Sequence, residues 1–185
     1  EKTGWNSSDT AELVFQDCCV PAENILGEEG RGFYAVMKNF QNERIVLGAM
    51  AMGEAQAALS LTLDYVKNRE AFGAPLWSKQ VIRQRLSMLS ARVTAARQLV
   101  YATAARDAAG EEVVKEVSML KALCGELVNE VMYDCLQFHG GAGYLRGSII
   151  ERMSRDARVQ SIGGGATEVM LEAVSYTHLT LPTTD

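Results

Sequence analysis

The chain has 185 residues, of which 48% are apolar and 22% charged, with only 3 prolines and a formal net charge of −5. This composition is typical of one soluble globular domain rich in helix. The acidic balance argues against nucleic acid as a partner. No apolar stretch reaches the roughly 18–20 residues that a membrane span needs, so no span is expected.

The four cysteines are not spaced as a disulfide set or as a metal site. Cys18 and Cys19 are adjacent, and a bridge between them would be strained. Cys124 and Cys135 would lie about 16 Å apart on one helix, beyond the reach of a disulfide. Because the chain also lacks a CxxC pair and a paired histidine, we expect no metal site and free or buried thiols.

Residues 1–27 differ in pattern from the rest of the chain. The stretch "AELVFQDCCVPAENILG" alternates like a strand, and Pro21 and Asn24 favour a turn after it. A strand pair alone is not stable in water. We therefore expect residues 1–27 to be the end of a β domain whose sheet lies upstream, followed by a linker, or else to be poorly ordered.

From residue 28 onward the apolar spacing is helical. The pattern predicts long helices over 33–67, 78–109 and 111–138, and short ones over 147–155 and 166–174. Gly73 and Pro75 are expected to stop the first helix, Gly110 the second and the glycines of "HGGAGY" the third. The predicted fold class is all-α, an up-down bundle spanning residues 28–174.

The last stretch, "SYTHLTLPTTD" at 175–185, abandons the helical period and is rich in threonine. We interpret it as a foreign extension or a frayed terminus.

A carboxylate and a guanidinium, Glu43 and Arg44, stand at the entrance of an apolar run over 45–58 whose single charge is Glu54. Adjacent helical residues point about 100° apart, so the two side chains must face different environments. Glu43 is either part of a solvated face or the lining of a cleft. In a cleft, desolvation would make it a stronger base, as general-base catalysis requires.

Three glycine-containing motifs allow both a functional and a structural interpretation. Gly163 to Gly165 expose backbone N–H groups before a helix, which suits an anion or a polarised carbonyl, or form a plain turn. In "NREAFGAPL", Arg69 either complements a helix dipole or holds a phosphate. In "QFHGGAGY", His139 is either structural or catalytic. No GxGxxG follows a strand, so a Rossmann nucleotide site is not supported.

Together these motifs resemble the C-terminal half of the acyl-CoA dehydrogenase family, flavoproteins that oxidise acyl-CoA thioesters to trans-2-enoyl-CoA. The resemblance covers about residues 4–174 and rests on five segments: "GWNSSDTAELVFQDCCVPAENILG", "ERIVLGAMAMGEAQAAL", "YVKNREAFGAPL", "QFHGGAGY" and "ERMSRDARVQSIGGGATEVM". It implies the last β strand plus the C-terminal four-helix bundle, without the N-terminal helices and most of the middle β domain. A chain of this extent is expected to have little or no activity alone.

The resemblance also implies a base. Many members carry the catalytic carboxylate before the last helix, where this chain has Gly164. An isovaleryl- and long-chain-like subgroup carries it on the first bundle helix, where this chain has Glu43. Glu43 is thus expected to remove the α-proton, and the side chain missing at Gly164 to leave space for substrate. The amide of Gly164 is expected to bind the thioester carbonyl. Phe40, Arg44 and Gly165 are expected to line the same pocket, with Arg44 in a supporting electrostatic role.

The residues that the resemblance assigns to FAD are Arg69, Phe72, Gln80, Gln137, Gly140, Gly141, Thr167 and Glu168. The family splits these contacts between subunits, which implies a homo-oligomer, usually a dimer of dimers. This chain departs from the family at one point, because Ala166 stands at the usual threonine position.

The implied substrate is an acyl-CoA, the implied electron acceptor an electron-transferring flavoprotein, and the implied location the bacterial cytoplasm or the mitochondrial matrix. Two alternatives remain open. One is an oxygen-using relative, either an acyl-CoA oxidase or a flavin monooxygenase. The other is a helical bundle that serves only in assembly.

Overall fold

The computed structural model describes residues 1–176 and shows a helical bundle. Three long helices are α1 (Gly32–Asn68), α2 (Gln80–Ala108) and α3 (Val114–Tyr144), and two short ones are α4 (Ile149–Ala157) and α5 (Thr167–Val174). The short links between the long helices make consecutive helices antiparallel. The predicted all-α bundle is therefore confirmed.

Helix α1 ends where the chain reverses through a small hairpin. Strand β1 (Glu70–Ala71) pairs antiparallel with β2 (Ala74–Pro75). Between them, Phe72 and Gly73 adopt φ values of 56° and 78°. Glycine adopts such values freely, whereas an aromatic residue does so at a cost. Gly73 and Pro75 do end the helix as expected, but the hairpin itself was not predicted.

Helix α3 is longer than the prediction, which ended it at residue 138. Gly140 has φ 57° and ψ −144°, outside the helical region, and the helix resumes beyond it to Tyr144. The glycine therefore kinks α3 instead of ending it. Gly110, by contrast, ends α2 as predicted, with φ 79° and an N–H that donates to Asp107 O at 2.9 Å.

Helix α3 lies at the centre of the fold and packs against α1, α2, α4 and α5. Its apolar positions at steps of three and four form the seam that the sequence predicts. They meet similar seams on α1 and α2. The buried core includes Ile45, Ala51, Ala55, Leu59, Ile82, Leu86, Leu89, Val93, Val117, Leu120, Cys124, Leu127 and Val131.

A close contact between α3 and the segment after α4 determines where the glycine turn lies. A 3-10 turn (Arg158–Ser161) follows α4 and passes directly over Gly125 of α3. A Cβ at Gly125 would meet the Gln160 carbonyl oxygen at 2.7 Å and the Ser161 Cα at 3.1 Å. The absence of a side chain at residue 125 therefore allows the chain to approach α3 just before Gly163 to Gly165.

The strand predicted in the N-terminal segment is wrong for this chain. Residues 1–27 contain one 3-10 turn (Ala22–Asn24) and no strand, and Phe15 is 76% exposed. A strand needs a neighbouring strand to bond its backbone, and the described part of the chain provides none there. The first residues nonetheless contact α4: the Trp5 N–H donates to Asp156 Oδ1 at 2.7 Å.

By length and composition, α1 is the one helix of residues 1–176 that could cross a membrane, contrary to the expectation that no stretch is long enough. Its most apolar window has a mean hydropathy of 1.3, and 39% of that window is buried. Core helices of bundles meet the same criterion. Here α1 buries nine residues against the rest of the bundle, among them Ala51, Ala55 and Ala58.

The predicted tail, 175–185, is described only at Ser175 and Tyr176, and the remainder lies outside the described residues. All four cysteines are free. Cys18 and Cys19 are exposed, whereas Cys124 and Cys135 are buried in the core.

We expect Gly125→Ala to destabilise the bundle, because the new methyl group would collide with backbone atoms that have no room to move. Such overpacking costs roughly 1–3 kcal/mol, which exceeds the roughly 1 kcal/mol that alanine adds to a helix. The matched control is Gly53→Ala on α1, where a Cβ meets nothing within 4 Å. That variant should unfold at a higher urea concentration than the parent, and Gly125→Ala at a lower one. If the two variants unfolded at the same urea midpoint, the prediction would be contradicted.

Candidate active site

The triple-glycine turn lies against α1, and Arg44 makes the polar contact between them. The Arg44 Nε–H donates to the Gly164 carbonyl oxygen at 2.9 Å, across 120 residues of sequence. Burial lowers the pKa of Arg44, and the charge of Glu43 partly opposes this effect. The guanidinium stays protonated over any working pH range, so this is a permanent charge-assisted hydrogen bond.

The turn has a backbone that only glycine adopts readily. Gly164 and Gly165 have φ values of 69° and 110°. A Cβ at Gly164 would lie 2.3 Å from Leu47 Cδ1, and one at Gly165 would lie 2.7 Å from Met170 Cε. The expectation that the missing side chain at residue 164 leaves space is therefore wrong, because Leu47 of α1 fills that volume.

Glu43 is exposed, and its Oε1 accepts a hydrogen bond from Asn39 Nδ2 at 2.5 Å. It does not pair with Arg44, so the two side chains face different environments, as expected. On a helix that turns about 100° per residue, Glu43 lies about 40° around the axis from Leu47 and one turn before it. Residue 43 is therefore on the side of α1 that bears the glycine turn, while its carboxylate is exposed and bonds Asn39 of the same helix.

Phe40 completes this part of α1. Its ring is half-buried, and the Arg44 guanidinium carbon lies 5.6 Å from the ring centroid. Exposed aromatic residues precede it on the first turn, Phe33 at 69% and Tyr34 at 61%. The beginning of α1 is thus an uncovered apolar surface among the described residues, which is why Glu43 is solvated here.

Two residues of α3 that were not singled out from the sequence, Lys121 and Glu126, contact the segment from Gly165 to Thr167. The Lys121 ammonium donates to the Gly165 carbonyl oxygen. Thr167, at the start of α5, donates from its hydroxyl to Glu126 Oε1 at 2.9 Å and contacts Ser161 O at 3.4 Å. Lys121 is only 1% exposed. Burial lowers its pKa, and the nearby Arg44 charge lowers it further.

A signal for Lys121 was present in the sequence. It follows Val117 by four residues and precedes Cys124 by three, which places it on the apolar seam of α3. A lysine in a buried seam needs a partner for its charge. Leu47 carried no comparable signal, since an apolar residue in an apolar run is expected anywhere.

A second group of predicted site residues collects at the far end of α1. Arg69 follows α1 directly, and its N–H donates to Tyr65 O at 2.8 Å. The Tyr65 ring stacks on His139, with centroids 4.1 Å apart and an interplanar angle of 12°. The Tyr65 hydroxyl also donates to His139 O at 3.2 Å. This pair brings the "NREAFG" and "QFHGGAGY" motifs together.

A cavity of about 550 Å³ opens at this junction. Its lining comes from the end of α1, from α3 and from the start of α4: Leu61, Asp64, Tyr65, Asn68, Arg69, His139, Ser148, Ile149 and Ile150. Burial lowers the pKa of His139, so its ring is neutral at pH 7. Its Nε2 lies 3.3 Å from Thr62 Oγ1. These contacts favour a structural role for the histidine over a catalytic one.

The remaining predicted residues at this end are exposed. Phe72 is 93% exposed at the tip of the hairpin, and Gln80 begins α2. Gln137, Gly140 and Gly141 are exposed at the kink of α3. These five residues do not line the cavity, whereas Arg69 does.

The structure therefore separates the predicted site residues into two groups. Phe40, Glu43, Arg44, Gly164, Gly165, Thr167 and Glu168 lie near the turn, and Arg69, Phe72, Gln80, Gln137, Gly140 and Gly141 lie near the hairpin. Arg44 and Arg69 are 25 positions apart along α1 and the residue after it, which is about 37 Å at 1.5 Å per residue. The two groups of predicted residues are therefore far apart within one chain.

Residues 30–177 match the family described as acyl-CoA dehydrogenase, C-terminal domain. The chain belongs to the acyl-CoA dehydrogenase family. The match extends three residues into the segment that we interpreted as a tail.

Individual family members are similar to this chain in sequence and in structure. It is 40% identical to acryloyl-CoA reductase (NADH) of Anaerotignum propionicum, over 91% of this chain and 43% of the relative. It is 36% identical to mitochondrial isobutyryl-CoA dehydrogenase of Bos taurus, over 95% of this chain and 42% of the relative. The crystal structure of acyl-CoA dehydrogenase from Geobacillus kaustophilus superposes with a TM-score of 0.94 at 40% identity, covering 98% of this chain and 47% of that one.

A structure described as electron transferring flavoprotein of Acidaminococcus fermentans also contains a chain of this fold. Its TM-score is 0.94 at 35% identity, covering 98% of this chain and 48% of that one. The chain thus spans less than half the length of the family members that it matches.

A half-buried acid of α1, Glu54, contacts the 3-10 turn that precedes the three glycines. Glu54 of α1 accepts a hydrogen bond from Gln160 Nε2 at 3.3 Å through Oε1, while its buried Oε2 has no hydrogen-bond partner among the described residues. Burial raises the pKa of Glu54, the Gln160 hydrogen bond opposes this, and the charge of Asp156 adds to the rise. The folded state therefore favours the protonated form of this carboxyl group.

We expect Glu54→Gln to stabilise the protein at pH 8 and to have a smaller effect near pH 4. The folded-state pKa of Glu54 is above the unfolded value, so the native form binds more protons between these two values. Stability then falls as the pH rises through that window, and glutamine removes the loss. The test is to measure the melting temperatures of parent and variant between pH 4 and pH 8. A difference that does not vary with pH would contradict the assignment, and Glu112→Gln, at an exposed position, is the control.

Proposed function

We propose that this chain is the C-terminal part of an FAD-dependent acyl-CoA dehydrogenase that converts an acyl-CoA thioester to trans-2-enoyl-CoA. The observation that carries the proposal is the geometry at Gly164. A positive φ disfavours any side chain there, and a Cβ would collide with Leu47 Cδ1. Glu43 is the acid on the adjacent turn of α1, so the base is assigned to the first bundle helix, as in the isovaleryl- and long-chain-like members.

In this proposal Glu43 accepts the α-proton of the bound thioester. Its exposure in the isolated chain suits a residue that substrate must reach, and covering by substrate would strengthen its basicity through desolvation. The Gly164 amide carries no side chain and donates to the thioester oxygen as negative charge develops there. Arg44 adds a positive charge beside the turn, and Phe40 forms part of the pocket wall.

When bound, FAD would supply the acceptor for the β-hydride. The residues at the hairpin fit one part of this cofactor, because the Arg69 guanidinium suits a pyrophosphate and Phe72 suits an aromatic group. Further exposed polar and backbone groups at this end of the bundle come from Gln80, Gln137, Gly140 and Gly141. Thr167 fits less well, since its hydroxyl already donates to Glu126, while Glu168 is exposed beside it.

The separation of the two groups of predicted residues supports an oligomeric enzyme. About 37 Å along α1 is longer than an extended dinucleotide, so a single FAD cannot contact both groups of one chain. We therefore propose that the hairpin of one subunit serves the flavin of another, in a dimer of dimers. A chain of this extent alone would then have little or no activity.

The proposed electron acceptor is an electron-transferring flavoprotein, which a structure containing a chain of this fold names. The proposed location is the bacterial cytoplasm or the mitochondrial matrix. Relatives from Bacillus subtilis and from mitochondria support it.

We expect Glu43→Gln in the full-length enzyme to keep FAD and substrate binding but to lower turnover by at least a thousandfold, because glutamine cannot accept the proton. Turnover is measured as the rate at which each acyl-CoA of a substrate panel bleaches the flavin. Glu112→Gln, at an exposed position on the α2–α3 link, is the matched control and should bleach at the parental rate. A Glu43→Gln enzyme of parental activity would exclude this residue as the base and leave assembly as the simpler role.

We expect Arg69→Ala to weaken FAD retention, because it removes the cation at the hairpin. The flavin-to-protein ratio after gel filtration should fall severalfold. Arg31→Ala, at the opposite end of α1, should leave the ratio unchanged. Full flavin content in Arg69→Ala would show that the hairpin does not contact the cofactor.

A further inference from the structure

We propose that Lys121 is a positioning residue for the α-proton step, a role that rests on the proposed dehydrogenase function. With Arg44 it forms a clamp on two consecutive peptide groups of the glycine turn. Arg44 donates to the Gly164 carbonyl oxygen from α1, and Lys121 donates to the Gly165 carbonyl oxygen from α3. The two cations therefore hold the turn from two different helices.

The clamp fixes the turn on its C-terminal side, and a backbone hydrogen bond fixes it on the N-terminal side. The Gly163 N–H donates to Val159 O at 2.7 Å. Across a planar trans peptide group, the carbonyl and the following N–H point in opposite directions. Holding the oxygens of Gly164 and Gly165 thus directs the N–H groups of Gly165 and Ala166 away from the cations. The Gly164 amide lies between the two anchored sides.

This restraint matters because the turn would otherwise be loose. Glycine loses more backbone freedom on ordering than any other residue, and three consecutive glycines add these losses. A donor that stabilises developing charge must be held within a few tenths of an ångström of its working position. The turn has no side chains of its own to supply that restraint, so the side chains of Arg44 and Lys121 supply it from outside.

The surroundings of Lys121 support a positioning role over a stabilising one. A buried ammonium costs free energy that a packed apolar side chain would not. Besides burial, the charge of Arg44 lowers the pKa of Lys121, and the charges of Glu126 and Glu168 raise it. None of these carboxylates forms an ion pair with Lys121 within the described residues. The Gly165 carbonyl is thus the contact that accounts for the lysine.

The test compares Lys121→Met with Lys115→Met in the FAD-loaded full-length enzyme. Both replace a lysine of α3, but residue 115 is at the start of the helix, away from the turn. For Lys121→Met we expect kcat, and the rate of α-proton exchange of bound acyl-CoA with deuterium oxide, to fall at least tenfold. KM should change less than threefold, and the melting temperature should stay level or rise. Lys115→Met should match the parent.

Two results would overturn the proposal: a kcat within twofold of the parent, or a loss of activity that parallels a lower melting temperature, as a merely structural residue would give. Amide hydrogen exchange separates this outcome from failure of the proposed function. Even if no acyl-CoA is turned over by the parent, Lys121→Met should speed exchange at Gly163 and Met170, whose N–H groups bond Val159 O and Ala166 O. Unchanged exchange there would exclude the clamp.

Discussion

The contact between the glycine turn and α1 is the constraint on which the rest of the site depends. Leu47 occupies the volume in which a side chain at Gly164 would lie, and Arg44 holds the adjacent carbonyl. The backbone can approach this closely because Gly125 lets the preceding segment pass over α3. Apolar packing thus sets the position of the turn, and charge-assisted hydrogen bonds set its orientation.

The sequence predicted the bundle well, because helical periodicity is a local signal repeated over many turns. Its errors arise where the outcome depends on partners distant in the chain. Phe15 lies in an alternating pattern, but a strand needs a neighbour to bond its backbone. Gly140 could equally end or kink a helix, and the local sequence does not distinguish the two outcomes. In the structure the helix resumes after it. Phe72 shows no local preference for the positive φ that closes the hairpin.

At the candidate site, the different environments of Glu43 and Arg44 followed from helix geometry alone. The contacts of Lys121 and Leu47 could not be predicted, because each depends on a segment more than 40 residues away that approaches α3 or α1 only in the folded bundle. The partial exception is Lys121, since a charge in an apolar seam indicates a hidden acceptor. The acceptor, a backbone carbonyl, leaves no trace in the sequence.

The occupied volume at residue 164 has a consequence for how such a site can change over time. An acid in the turn would need a side chain on a left-handed backbone, and the Leu47 side chain would have to rotate away or be replaced. If Glu43 is the base, as proposed, a single replacement at residue 43 can abolish it, whereas moving it to the turn also needs the backbone and Leu47 to adjust.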